Sequence, residues 1–130
     1  MLKTGIKHIE KLLVSHEHTA KVIQSGGLEV LATPMLIAVM EKCAWKSVLP
    51  YLPDGMDTVG TSIEMQHLSP TPIGMEVRCE SELIDINDRE LTFHITAYDS
   101  QDKIGDAIHK RFIINTARFM EKATQKSNKI

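Results

Sequence analysis

The chain has 130 residues, 42% of them hydrophobic, which is the size of one domain (1–130) and enough apolar material for one compact core. A formal net charge of -2 gives no electrostatic case for nucleic acid or an anionic membrane surface as partner. Two cysteines, Cys43 and Cys79, lie far apart in apolar runs with no C-x-x-C pair, so they read as reduced core residues, and a cytoplasmic setting is expected.

The first stretch, "MLKTGIKHIEKLLV", contains no apolar signal core, and no apolar run is long enough to span a bilayer. Within it, "GIKHIEKLLV" reads equally as a first strand or a short helix. "SGG" at 25–27 is a flexible break. From about residue 29 to 52 the pattern is helical. Pro34 is expected at the first helical position with Thr33 as its N-cap, the alternative being an opening turn that kinks at the proline. "PYLPDG" at 50–55 closes the helix.

Strands follow. Residues 58–68, "TVGTSIEMQHL", alternate, and "SPTPIG" is a connection. Residues 75–86, "MEVRCESELIDI", alternate again. "NDRE" at 87–90 reads as a tight hairpin into a third strand, 91–98, and "DSQDK" as a turn into a fourth, 104–116. The charged tail is expected to fray from about residue 121. The order is thus an N-terminal segment, one long helix and a four-stranded antiparallel meander. Strands of roughly 8 to 13 residues exceed the usual length, so a curved sheet is expected to wrap the helix on nearly all sides.

Five residues interrupt this apolar plan in a way that suggests chemistry. Glu41 shares its helical face with Ile37, Ala44, Trp45 and Val48, whereas Lys42 and Lys46 point elsewhere. A carboxylate there is either a helix-edge Glu paired with a lysine or a functional group. His67 ends the row Val59, Thr61, Ile63, Met65, His67 on one face of its strand. It reads as a satisfied core histidine or as a base whose tautomer a carboxylate fixes. Thr33 reads as an N-cap or as a nucleophile or water-positioning hydroxyl. Its Cα lies roughly 12 Å along the helix from that of Glu41, so one imidazole bridges both only if the Glu side chain leans back, or else two subunits supply the parts. Gly60, inside a strand, marks a bulge or a close approach by a ligand. Arg111, in "HKRF", shares a face with Gly105, Ala107, His109 and Ile113 and is either solvated or a contact for an anion or carbonyl. His16-Glu17-His18 is a poor metal signal without a third ligand, and no metal site is expected. No phosphate-binding loop, dinucleotide fingerprint or G-x-S-x-G elbow occurs.

The stretch "LATPMLIAVMEKCAWKSVLPYLPDGMDTVGTSIEMQHLSPTPIGMEV", the "D-x-x-x-x-I-G" at 99–105 and the "HKR" at 109–111 resemble the hotdog-fold acyl-CoA thioesterases, in particular the fluoroacetyl-CoA thioesterase-like group. The likeness runs from about residue 29 to 119. It implies an α+β hotdog fold, a long helix wrapped by an antiparallel sheet, paired in homodimers or in tetramers built from them, with the active site at the subunit interface. It also implies hydrolysis of a small or medium acyl-CoA without a cofactor, coenzyme A being part of the substrate. Thr33, Glu41 and His67 stand at the catalytic places, and Gly60 and Arg111 line the acyl end. Members specialised for fluoroacetyl-CoA carry phenylalanines just before the threonine. Here "QSGGLEVLAT" has none, which implies a more open lid and a different acyl group. Two other readings keep the fold: a non-catalytic acyl-CoA-binding module and a hydratase or dehydratase. Release of free CoA separates hydrolysis from both.

Overall fold

The computed structural model describes residues 1–128. The ambiguous first stretch is a strand, β1 (Lys7–Leu13), followed by a 3-10 turn (His16–His18) and a four-residue helix, α1 (Ala20–Ile23). The long helix, α2, runs Thr33–Val48 and passes into a second 3-10 turn, Leu49–Tyr51. Four strands follow, β2 (Met56–His67), β3 (Glu76–Asn87), β4 (Glu90–Tyr98) and β5 (Lys103–Asn115). The tail that was expected to fray is helical instead, α3 (Thr116–Ser127), and every residue of it is exposed. Asn115 supplies its N-cap by accepting from the Arg118 N–H at 3.0 Å.

All pairings are antiparallel, but they do not form a simple four-strand meander. The order is β1-β3-β4-β5-β2. β3, β4 and β5 are consecutive neighbours, while β2 crosses to the far side of β5 and β1 takes the opposite edge beside β3. The Asp88-Arg89 hairpin places Asp88 at φ 56°, a conformation that Asp tolerates better than most side chains.

The core lies between α2 and the concave face of the sheet. α2 buries Leu36, Val39, Met40, Cys43, Ala44, Ser47 and Val48, the i, i+3, i+4 spacing of a helix seated on a sheet. Facing them are Val77, Cys79 and Leu83 from β3, Leu91, Phe93, Ile95 and Ala97 from β4, and Ile104 and Ala107 from β5. The helix is therefore covered on one side and not all round: Pro34, Ala38, Lys42 and Lys46 are exposed. Both cysteines are free and buried, and burial pushes the Cys79 thiol up to about 12.

One glycine sets how closely helix and sheet meet. A Cβ on Gly105 would lie 2.9 Å from Met40 Cε and 3.2 Å from Leu36 Cδ2. The opening turns of α2 thus rest on the start of β5, whose Gly105 pairs with His67. This register carries the histidine to the N-terminal end of the helix.

Candidate active site

α2 begins one residue earlier than the proline pattern suggests. Ala32 is the N-cap and its carbonyl accepts from Leu36 N–H at 3.0 Å. Thr33 and Pro34 are therefore the first and second helical residues, and the Thr33 hydroxyl makes no capping bond. It lies 2.8 Å from His67 Nδ1, the right separation for a hydroxyl donating to an imidazole nitrogen. With Nδ1 accepting, His67 Nε2 carries the ring proton, and that nitrogen is buried with no hydrogen-bond partner among the described residues. Burial pulls the His67 pKa below its ordinary 6.5, only partly opposed by the nearby backbone of Ser69, so the ring is neutral near pH 7 and able to accept a proton. Beside the pair is an open pocket of about 310 Å³ whose apolar lining includes Ala20, Val30, Leu68 and Pro70.

The second group of residues gathers further along β2. Gly60 pairs with Arg111 and the next pair is Ser62 with Lys110, so Thr61 is a bulge. The extra residue reverses the alternation. Beyond it Ile63, Met65 and His67 face inward as expected, but before it the inward residues are Thr58 and Gly60, not Val59 and Thr61. Gly60 is thus both the bulge neighbour and a point of close approach. A Cβ there would stand 2.7 Å from Glu41 Oε2 and 3.2 Å from His109 Cε1.

Arg111 is not solvated; it is 6% exposed. Its Nε donates to Thr58 Oγ1 at 2.8 Å and its Nη2 to the Thr58 carbonyl at 2.9 Å. Its Nη1 lies 3.2 Å from His109 Nε2 and 4.0 Å from Glu41 Oε2. Burial pulls its pKa down against the pull of Glu41 and Asp57, but a guanidinium stays charged throughout the working pH range. The arrangement leaves a fixed, buried positive charge whose one ion-pair partner within 4.0 Å among the described residues is Glu41, and such a charge attracts a developing oxyanion or a carboxylate.

His109 is the residue that sequence reasoning passed over, although alternation had already put it on the face of Arg111. It is 1% exposed, and its Nδ1 donates to the Ser62 carbonyl at 2.8 Å. That bond leaves Nε2 as an acceptor for Arg111. Burial is the main cause that lowers the His109 pKa, and Arg111 adds to it. The bulge, a neutral imidazole and the guanidinium therefore form one relay that aims Arg111 at Gly60 and Glu41.

Glu41 is not the buried carboxylate its neighbours suggest. Its side chain is 42% exposed, and it has no lysine partner, since Lys42 and Lys46 each lie 3.6 Å from Glu10. Nor does it meet His67. Glu41 sits over Gly60, and His67 is about six strand steps away, roughly 20 Å. One chain thus brings together Thr33 with His67 and, separately, Glu41 with Gly60 and Arg111. His16-Glu17-His18 is taken up locally: His18 Nδ1 accepts from Ser15 N–H at 3.0 Å, and no cluster of three potential metal ligands occurs among the described residues. No helix among them is long and apolar enough to cross a membrane.

Known proteins share this framework. The family model of the fluoroacetyl-CoA-specific thioesterase FlK matches residues 14–117. A fluoroacetyl-CoA thioesterase of Streptantibioticus cattleyicolor is 34% identical over 99 residues, 76% of this chain and 71% of that protein. A solved structure of the fluoroacetyl-CoA thioesterase FlK superposes with a TM-score of 0.92 at 28% identity, covering 97% of this chain and 98% of the other. A thioesterase superfamily member from Thermus thermophilus superposes equally well, at 0.92, with 23% identity over 99% and 96% of the two chains, a likeness of fold alone. The fold is the α+β hotdog fold, and with four-fifths of its length inside the family match, the chain belongs to the fluoroacetyl-CoA-specific thioesterase family.

Proposed function

We propose that this thioester hydrolase acts on a small or medium acyl-CoA at a site assembled from two copies of the chain, and that it needs no cofactor. The observation that carries the reading is the 2.8 Å contact between the uncapped Thr33 hydroxyl and His67 Nδ1. A free hydroxyl held by a neutral imidazole is a nucleophile with its base, or a clamp for an attacking water. The imidazole takes the proton from the attacking oxygen, whether of Thr33 or of the water. The carbonyl carbon becomes tetrahedral, and collapse breaks the C–S bond and expels the CoA thiolate, which takes the proton from the imidazolium; where Thr33 is the attacker, a water activated by the same imidazole then hydrolyses the acyl ester and frees the hydroxyl. Arg111 and the backbone at Gly60, supplied with Glu41 by the second copy, stabilise the oxyanion.

The separation of the two half-sites supports the dimer. His67 Nε2–H lacks an acceptor, whereas Glu41 is a half-exposed carboxylate with only a loose partner. β2 is an edge strand twelve residues long with one side unpaired, and unpaired edges of that length invite pairing with another chain. Two copies joined antiparallel along β2 bring the His67 end of each strand toward the Gly60 end of the other. Glu41 of a second copy then accepts from His67 Nε2 and stabilises the imidazolium.

The residues around Thr33 support an acyl group other than fluoroacetyl. The pocket beside Thr33 has no Phe, Tyr or Trp in its lining, and the Gly26-Gly27 segment that precedes Thr33 is exposed. Thiol release from short, medium and aromatic acyl-CoAs, compared between wild type and the Glu41→Gln and His67→Ala variants, tests the reading. Loss of release by about a hundredfold or more in both variants, with the fold intact, is expected. Acyl-CoA binding with no release by the wild type on any substrate would instead mark a binding module.

A further inference from the structure

The reactive parts described above account for the thioester, but not for the bulky charged end of an acyl-CoA. A second cleft, of about 190 Å³, opens where β5 turns into α3. Arg89 of the β3–β4 hairpin and Arg118 and Lys122 of α3 line it, together with the rings of Phe112 and Phe119. Both rings are about two-fifths exposed, at 39% and 41%. None of the three cations has a carboxylate within 4.0 Å among the described residues, whereas Lys110, on the neighbouring strand position, is paired with Glu90 at 3.7 Å. Glu121 belongs to the same helix but does not line the cleft. In a chain with a net charge of -2, three uncompensated cations around two open aromatic faces form a local site for a phosphorylated aromatic ligand.

Resting on the acyl-CoA reading, we propose that this cleft binds the phosphorylated adenosine end of coenzyme A, with Arg89, Arg118 and Lys122 on its phosphates and Phe112 or Phe119 against the adenine. The cleft starts at Phe112, the exposed neighbour of the buried Arg111 on β5, and runs to Asn115 and the start of α3, so its far end lies four residues, roughly 13 Å, along the strand from Arg111, a span that the extended pantetheine arm covers. The guanidinium forks suit phosphate oxygens, and Lys122 adds a point charge. An adenine face on a phenylalanine is a base-stacking contact that requires no hydrogen-bond readout.

The test is equilibrium binding of adenosine 3′,5′-bisphosphate to the full chain by calorimetry, for the wild type, the Arg118→Gln/Lys122→Gln double variant and a Glu121→Gln control. The cleft predicts saturable binding that weakens with added salt, that the double variant loses by about tenfold or more, and that the control keeps. KM for an acyl-CoA should rise more in the double variant than KM for the same acyl group on pantetheine. Because α3 is exposed throughout, the double variant is expected to keep the wild-type circular dichroism and melting temperature. Absence of wild-type binding, or equal binding by the double variant, would overturn the assignment. Nucleotide binding without thiol release would sink the hydrolase reading and leave the cleft standing; thiol release with a KM indifferent to Arg118 and Lys122 would do the reverse.

Discussion

At the scale of single residues, the proposed chemistry turns on a hydroxyl that the helix does not use. Thr33 spends no hydrogen bond on capping, and its oxygen stays aimed at His67. Thr33→Ala should cut kcat by about a hundredfold to ten-thousandfold with little change in melting temperature, while Thr33→Ser keeps most of the activity; steady-state thiol release measures both. Gly60→Ala should act in a different way. The new methyl meets the end of the flexible Glu41 side chain at 2.7 Å and the rigid His109 ring at 3.2 Å. The Glu41 carboxylate swings aside at low cost, so the expected result is loss of catalysis exceeding loss of stability, read from paired activity and thermal-melt measurements. The pH profile separates the forces on His67. Burial alone holds its pKa below 6.5, and a carboxylate at Nε2 would raise it. The acid limb of kcat/KM in Glu41→Gln should therefore lie at lower pH than in the wild type, and below 6.5.

At the scale of elements, β2 decides the layout. Its bulge at Thr61 lets one strand serve two inward-facing sets, Thr58 with Gly60 and Ile63 through His67. This is also where the sequence was hardest to read. Strict alternation is the only rule available without coordinates, and one extra residue shifts every position upstream of it to the other face. The four later strands and the hairpin at Asp88 were legible from period and turn chemistry within one or two residues, whereas the helical pattern over about 29 to 52 overran α2, Thr33–Val48, by four residues at each end. The sheet order was not, because nothing in the alternation of β2 says whether its neighbour is β3 or β5. Thr33 was identified as a site residue and as a cap, and only the geometry of Ala32 separates the two. His109 was hidden because a histidine one turn of the strand from an arginine looks like part of a solvated charged run. Gly105 shows the tightest fit between elements. Gly105→Ala places a methyl 2.9 Å from Met40 Cε; displacing that side chain in a packed core should lower stability by about 1–3 kcal/mol, checked by denaturant titration.

At the scale of the whole molecule, two histidines whose pKa values are lowered chiefly by burial, His109 and the half-buried His67, link stability to pH. The folded pKa of His109 is depressed, chiefly by burial, so the unfolded chain takes up its proton first as the pH falls. The stabilisation is complete above about 6.5, the ordinary value, and is lost progressively below it. Thermal melts from pH 7.5 to 5 should show a falling midpoint, with a shallower slope for His109→Gln. The same molecule-wide view explains why Glu41 lies so far from His67. On the proposed reading, groups divided between the two ends of an edge strand close the site on another copy of the chain.

Subunit complementation tests that claim most directly. Thr33→Ala chains and Glu41→Gln chains, each inactive alone, would be mixed, dissociated and reassembled, and thiol release measured. If each site takes Thr33 and His67 from one copy and Glu41 from the other, a mixed dimer has one site carrying both lesions and one intact site, and an equal mixture recovers about a quarter of wild-type activity. If all three groups act within one copy, every site in the mixed dimer carries one lesion, and no activity returns.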